Sequence, residues 1–87
     1  MRILGTEYRV KECGEKELPG LFGELDVSKA TIKVRKGLAP VVRHRVMAHE
    51  LMHVISYEYD LNLSENKTTV LNAALIAAGV KFPTGAK

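Results

Sequence analysis

Apolar and polar positions alternate over the first third of the chain and then change to a helical period. Ile3-Leu4 and Tyr8-Arg9-Val10 alternate around Gly5, which predicts a strand or a small hairpin. Cys13 to Gly20, with Pro19-Gly20 inside it, predicts a loop. Phe22 to Val27 predicts a second strand, with Phe22, Glu24 and Asp26 on one face and Leu25 and Val27 on the other. A turn falls within Asp26 to Ala30, and Thr31-Ile32-Lys33-Val34-Arg35 alternates strictly as a third strand. The tight connection between the last two strands predicts an antiparallel hairpin, and the three together a small antiparallel sheet.

Gly37 to Pro40 breaks this pattern, and Pro40 suits the first position of a helix, where its missing N–H is not needed. Ala39 before it is a poor cap. The helix runs to about Tyr57 or Tyr59 and is apolar nearly all round between Val46 and Ile55, so it is expected to be central and buried. Asp60 to Leu63 predicts a turn, Ser64 an N-cap, and Glu65 to about Ala78 a second helix. Leu71, Leu75 and Ala78, with Ala74 beside them, form its expected packing stripe, and Gly79 ends it. Residues 81–87, with Pro83 and Gly85, are expected to form a flexible tail. The order predicts an α+β fold in one domain over residues 1–80: a three-stranded antiparallel sheet packed on a central helix, then a second helix.

Composition adds bounds to this picture. With 87 residues, 46% hydrophobic and 26% charged, the chain is globular rather than disordered and holds one small domain. A core of this size is marginal alone, so a metal or a partner is expected to add stability. The net charge of +3 is a mild bias. Lys29, Lys33, Arg35 and Lys36 make a loose basic cluster on the solvated face of a strand, with no aromatic residues interleaved, so nucleic acid is not the expected partner. The single cysteine, Cys13, cannot form an internal disulfide, which fits a reducing, cytoplasmic compartment. Arg2, Gly5, Glu7 and Arg9 interrupt residues 1–10, so no signal peptide is expected there. The longest apolar run, Leu71 to Val80, contains Asn72 and falls short of the roughly 20 residues of a membrane span.

The chemistry concentrates in His49-Glu50-Leu51-Met52-His53, an H-E-x-x-H string within the first helix. Positions four apart share one helix face, so both imidazoles can reach one Zn²⁺ while the carboxylate between them stands beside whatever the metal holds. Catalytic zinc takes three protein ligands and a water, whose pKa it lowers to about 7. The third ligand is not a histidine from further along, because none follows His53. His44 is five residues upstream, about 140° round the axis, and reads as a surface residue. That leaves a carboxylate: Glu58, Asp60 or Glu65. Glu58 faces away from His53, and Asp60 requires an early end to the helix. Glu65, opening the second helix, is the natural choice, although an acid there also suits the helix dipole.

Helix geometry sets a condition on Glu65. Counting back from the turn of an antiparallel pair places positions 70–72 opposite His49 and His53, with Glu65 roughly 10 Å too near the turn. The count closes only if the first helix stops soon after His53 or the helices cross steeply. Asn72, the polar residue among those positions, is placed to hydrogen-bond a metal-bound imidazole. Tyr57, four residues past His53 on the Glu50 side, is a candidate donor to an oxyanion, or else packs on the second helix.

In its order of elements the chain resembles the short H-E-x-x-H proteins encoded by phages, which are similar to the ImmA/IrrE-type metallopeptidases. The resemblance spans nearly the whole chain to about Ala78. It rests on Ile3-Leu4-Gly5 with Tyr8 and Val10, Gly23-Glu24-Leu25-Asp26 leading into Thr31-Ile32-Lys33-Val34, His49 through Ile55, and Leu63-Ser64-Glu65 with Leu71 and Ala74. It implies a minimal zincin-like fold with Zn²⁺ on His49, His53 and Glu65, and Glu50 as general base. It also implies a polypeptide substrate, by analogy a specific regulator protein, met in the cytoplasm of a bacterial host. The chain departs from the family pattern at Thr68, where a small or branched apolar residue is usual, and at Asn72, where alanine is usual. The expected activity is hydrolysis of a peptide bond. The alternatives are a zinc-stabilised binding or regulatory protein without turnover, and a small basic nucleic-acid accessory protein.

Overall fold

A computed structural model describes residues 2–3 and 5–79. The strands are β1 (Arg2–Ile3), β2 (Thr6–Glu7), β3 (Arg9–Cys13), β4 (Gly23–Asp26) and β5 (Thr31–Arg35), followed by helices α1 (Pro40–Glu58) and α2 (Glu65–Ala77). The expected tail at 81–87, and Val80 before it, lie outside the described residues. The fold is α+β, as the pattern predicts, and no described helix is long and apolar enough to cross a membrane.

The sheet departs from the expected one. β1 and β2 form a separate two-stranded hairpin whose turn holds Gly5 at φ 85°. The three-stranded sheet has the order β3-β5-β4, with β4 antiparallel to β5 and β3 parallel to it, so it is mixed rather than antiparallel. Three successive strands still run up, down and up, but the third inserts between the first two. Composition explains the choice of centre: β5 carries Thr31, Ile32 and Val34, all buried, whereas β3 carries Arg9, Lys11 and Glu12, all exposed. The segment from residue 14 to 22 crosses the end of β5 and is fastened there by Arg35. Its guanidinium donates to the carbonyls of Leu18 (2.6 Å) and Leu21 (2.9 Å) and pairs with Glu15 at 2.8 Å. Arg35 of the basic cluster is thus a loop clamp, and Lys33 lies 3.9 Å from Glu24.

Ile32 and Val34 meet Met47, Leu51 and Val54 of α1, with Tyr8 closing the cluster. The Tyr8 hydroxyl donates to Glu58 at the end of α1. Burial first, and then the Glu58 carboxylate, push that hydroxyl up to about 12, so it stays a donor at neutral pH. On the other side of α1, Gly23 lets β4 approach the helix. A Cβ at Gly23 would lie 2.6 Å from Val46 Cγ1, 3.2 Å from the Lys33 carbonyl oxygen and 3.3 Å from Glu50 Cγ. Val46 is β-branched and cannot swing aside freely. Gly23→Ala is therefore expected to lower stability by about 1–3 kcal/mol, read as the midpoint of urea unfolding. A second change, Val46→Ala, is expected to restore much of the loss; no recovery in the double variant would contradict this account.

α2 begins where Ser64 predicts, its Oγ accepting from the Lys67 N–H at 3.1 Å. The face it packs is not the expected one. Leu71, Ala74 and Ala78 are exposed, Leu75 is half-buried, and the buried residues of α2 are Thr68 and Asn72. Positions 65, 68, 72, 75 and 76 keep a helical spacing, so the helix is rotated to turn Glu65 toward α1, and its most apolar stripe faces outward.

Candidate metal centre

His49 and His53 project from adjacent turns of α1, their rings nearly perpendicular with centroids 4.7 Å apart. Their Nε2 atoms are 3.1 Å apart. Glu65 Oε1 lies 2.6 Å from His49 Nε2 and 3.1 Å from His53 Nε2. Glu65 reaches this point although α1 continues to Glu58 and does not stop early. The link between the helices makes up the distance. Asp60 and Asn62 take left-handed backbone at φ 54° and 55°, which their side chains tolerate. The Leu61 N–H donates to the Ser56 carbonyl (2.8 Å) and the Leu63 N–H to Ser56 Oγ (3.1 Å), so the link folds back along the last turn of α1. With the link folded back, α2 begins beside the last turn of α1 rather than beyond its end, which brings Glu65 within reach of the histidines.

Among the described residues, His49, His53 and Glu65 are the group whose ligand atoms converge, all within 4.8 Å of one another. The other candidates sit elsewhere. Glu58 accepts from Tyr8, and Asp60 is exposed on the link. Asn72 is buried but makes no hydrogen bond to either imidazole; its Oδ1 has no partner, nor does Thr68 Oγ1. Thr68 and Asn72 are thus the buried residues of α2, and both are polar.

The donor set fits a divalent cation. Two imidazole nitrogens and a carboxylate oxygen face one another, and each nitrogen contacts both other atoms. Satisfying both contacts to Glu65 with protons requires an N–H on each Nε2, and the two N–H bonds then converge on one oxygen while the Nε2 atoms, 3.1 Å apart, have no acceptor between them. A cation serves all three atoms at once. Bonds of about 2.0–2.1 Å in tetrahedral geometry place neighbouring donors about 3.3 Å apart, slightly wider than the separations here. The hydrogen bond from His49, ahead of that from His53, already holds the Glu65 carboxyl below the usual carboxylate range.

Glu50, between the histidines, is 7% exposed. Burial pushes its carboxyl up, while His53 and His49 pull it back. It opens onto a groove of about 740 Å³ whose walls include Gly23 and Leu25 of β4, His53 and Tyr57 of α1, and Glu65. Tyr57 is exposed here rather than packed on α2. Among the described residues β4 pairs with β5 alone, which leaves its outer edge without a strand partner. The part of β4 in this groove is missing from the sequence-predicted site. Its signal is Gly23 itself, since a glycine inside a strand marks a close backbone approach. Compared with protein families, curated proteins and solved structures, the chain matches none.

Proposed function

We propose that this chain is a minimal zincin-like peptidase, akin to the ImmA/IrrE-type metallopeptidases, with His49, His53 and Glu65 holding Zn²⁺. The observation that carries the proposal is the convergence of these three donors beside the buried carboxylate of Glu50 at the wall of an open groove. When bound, the metal supplies a Lewis acid that acidifies water and polarises a carbonyl. The residues supply the rest. Glu50 accepts a proton from the attacking water and passes it to the departing amine as the C–N bond breaks, so one water is consumed with no change of oxidation state. Its raised affinity for protons suits both halves of that transfer. Tyr57 is the candidate donor to the oxyanion. The free edge of β4 can hold an extended polypeptide by main-chain hydrogen bonds, carrying it past Glu50.

The test is cleavage of an unfolded protein substrate by the zinc-loaded chain. Activity is expected to vanish when a chelator strips the metal and to return with one equivalent of zinc. Zinc binding at one equivalent with no cleavage of any unfolded or folded substrate would leave a metal-stabilised binding protein instead. Absence of zinc binding would overturn both.

A further inference from the structure

The converging donors lie between two cavities of opposite character, which meet at Glu50. The larger groove has Glu24, Glu50, Asp60 and Glu65 in its walls and no Lys or Arg, although the chain as a whole carries 13 Lys and Arg against 10 Asp and Glu. A divalent cation offsets Glu50 and Glu65. Glu24 and Asp60 remain. Among the described residues Glu24 has only the loose, solvated contact to Lys33 at 3.9 Å, which neutralises it weakly. Asp60 has no ion-pair partner among the described residues.

The second cavity, about 350 Å³, lies on the His49 side. Phe22, Val46, Ala73 and Ile76 make it apolar, and its only charged residue outside the metal cluster and Glu50 is a cation, Arg45. Asn72 lines it too, nine-tenths buried, with a carboxamide oxygen that no protein group engages. That oxygen has essentially no exposed surface, so it is an unmet polar atom beneath the cavity wall rather than a contact open to an occupant. Phe22, 55% exposed, stands at the side of the same cavity and gains burial only when the cavity fills.

From this polarity we infer the substrate preference of the site: a polypeptide segment with an apolar side chain in the small cavity and a basic residue in the acidic groove, the scissile bond lying between them beside Glu50. The inference rests on the peptidase proposal and adds the chemistry of its substrate. Arg45 disfavours a basic residue on the apolar side, so the preference is for one cation, not two.

Binding separates this inference from turnover. The zinc-loaded Glu50→Gln chain is titrated with end-blocked, fluorescent ten-residue peptides on a Gly-Ser background. Their central pairs are Leu and Lys in both orders, Leu and Glu in both orders, and Ala and Lys in both orders. The tighter Leu-Lys order is expected to bind at least tenfold better than the Leu-Glu and Ala-Lys peptides. Asp60→Asn is expected to shrink the Lys-over-Glu preference severalfold, and Ala73→Trp, which fills the cavity from an exposed position, to remove the Leu-over-Ala preference. Zinc content at one equivalent in each variant controls for folding. Equal binding of all peptides, or no binding of any, overturns the inference. So do preferences unchanged in both variants. If the preference holds but the wild-type chain leaves the Leu-Lys peptides intact, the peptidase proposal fails and the binding inference stands.

Discussion

Glu50→Gln is expected to cut peptide cleavage by about 10²–10⁴-fold, the usual contribution of a positioned general base, while leaving zinc at one equivalent per chain. Gln keeps the length and planarity of the side chain, so the groove and the approach of Gly23 to Glu50 Cγ are preserved. What is lost is the ability to take and return a proton. The same change has a second expected signature, in stability. Burial raises the folded-state affinity of this carboxyl for its proton. A carboxyl raised in the folded state contributes stability at low pH that is lost as pH rises through its folded pKa. At pH values above that point the buried charge is a cost, and Gln removes it. Metal-free Glu50→Gln is therefore expected to melt no lower than metal-free wild type. A variant that still cleaves at the wild-type rate would remove Glu50 from the chemistry; one that loses zinc as well as cleavage would make it a metal ligand.

Local pattern made the elements legible, and long-range choice made the topology illegible. Both helices begin where Pro40 and Ser64 place them, and the alternation of Thr31 to Arg35 appears as a strand with Ile32 and Val34 toward the core. The pairing of β3 with β5 was beyond that pattern. Alternation fixes which side chains share a face, not which strand is the neighbour, and three strands in sequence can be arranged with the third outside or in the middle. The deciding fact is relative: β5 tolerates burial on both edges better than β3 does. A single strand viewed alone does not show it.

The cluster of donors was legible for a different reason. His49, Glu50 and His53 lie on one regular helix, where spacing alone dictates geometry. Glu65 lies across an irregular link, and residue counting treats such a link as having no length along the helix axis. The fold-back held by Ser56 supplies that length, and nothing in Asp60-Leu61-Asn62-Leu63 announces it except two residues that tolerate left-handed backbone. The rotation of α2 follows from the same contact. Once Glu65 turns toward the histidines, a rigid helix carries Thr68 and Asn72 inward and Leu71 and Ala74 outward, against the order of their hydrophobicities. A helix turned against its apolar stripe leaves Leu71 and Ala74 exposed while Glu65 meets the histidines; under the proposed function, that is the pattern expected where a site overrides packing.

His53→Ala is expected to lower zinc affinity by more than about 100-fold, beyond the 10–100-fold cost of losing a partner that only orients a ligand. His53 Nε2, like His49 Nε2, has both other ligand atoms within about 3.1 Å, so its loss leaves a two-point site. Competition with a chromophoric chelator measures the change directly. Because unfolded chain does not hold the three donors together, zinc binding is linked to folding. At free zinc 100-fold above its dissociation constant, wild type is expected to gain about 2.7 kcal/mol over its metal-free form. For a domain of this size that raises the melting temperature by roughly 10 °C or more, whereas His53→Ala is expected to gain almost nothing at the same concentration. Glu65→Ala should fall on the same side as His53→Ala, although its side chain is far more exposed. If Glu65→Ala instead binds zinc as tightly as wild type, α2 is not turned inward to supply a ligand. The burial of Thr68 and Asn72 would then require a cause other than the metal.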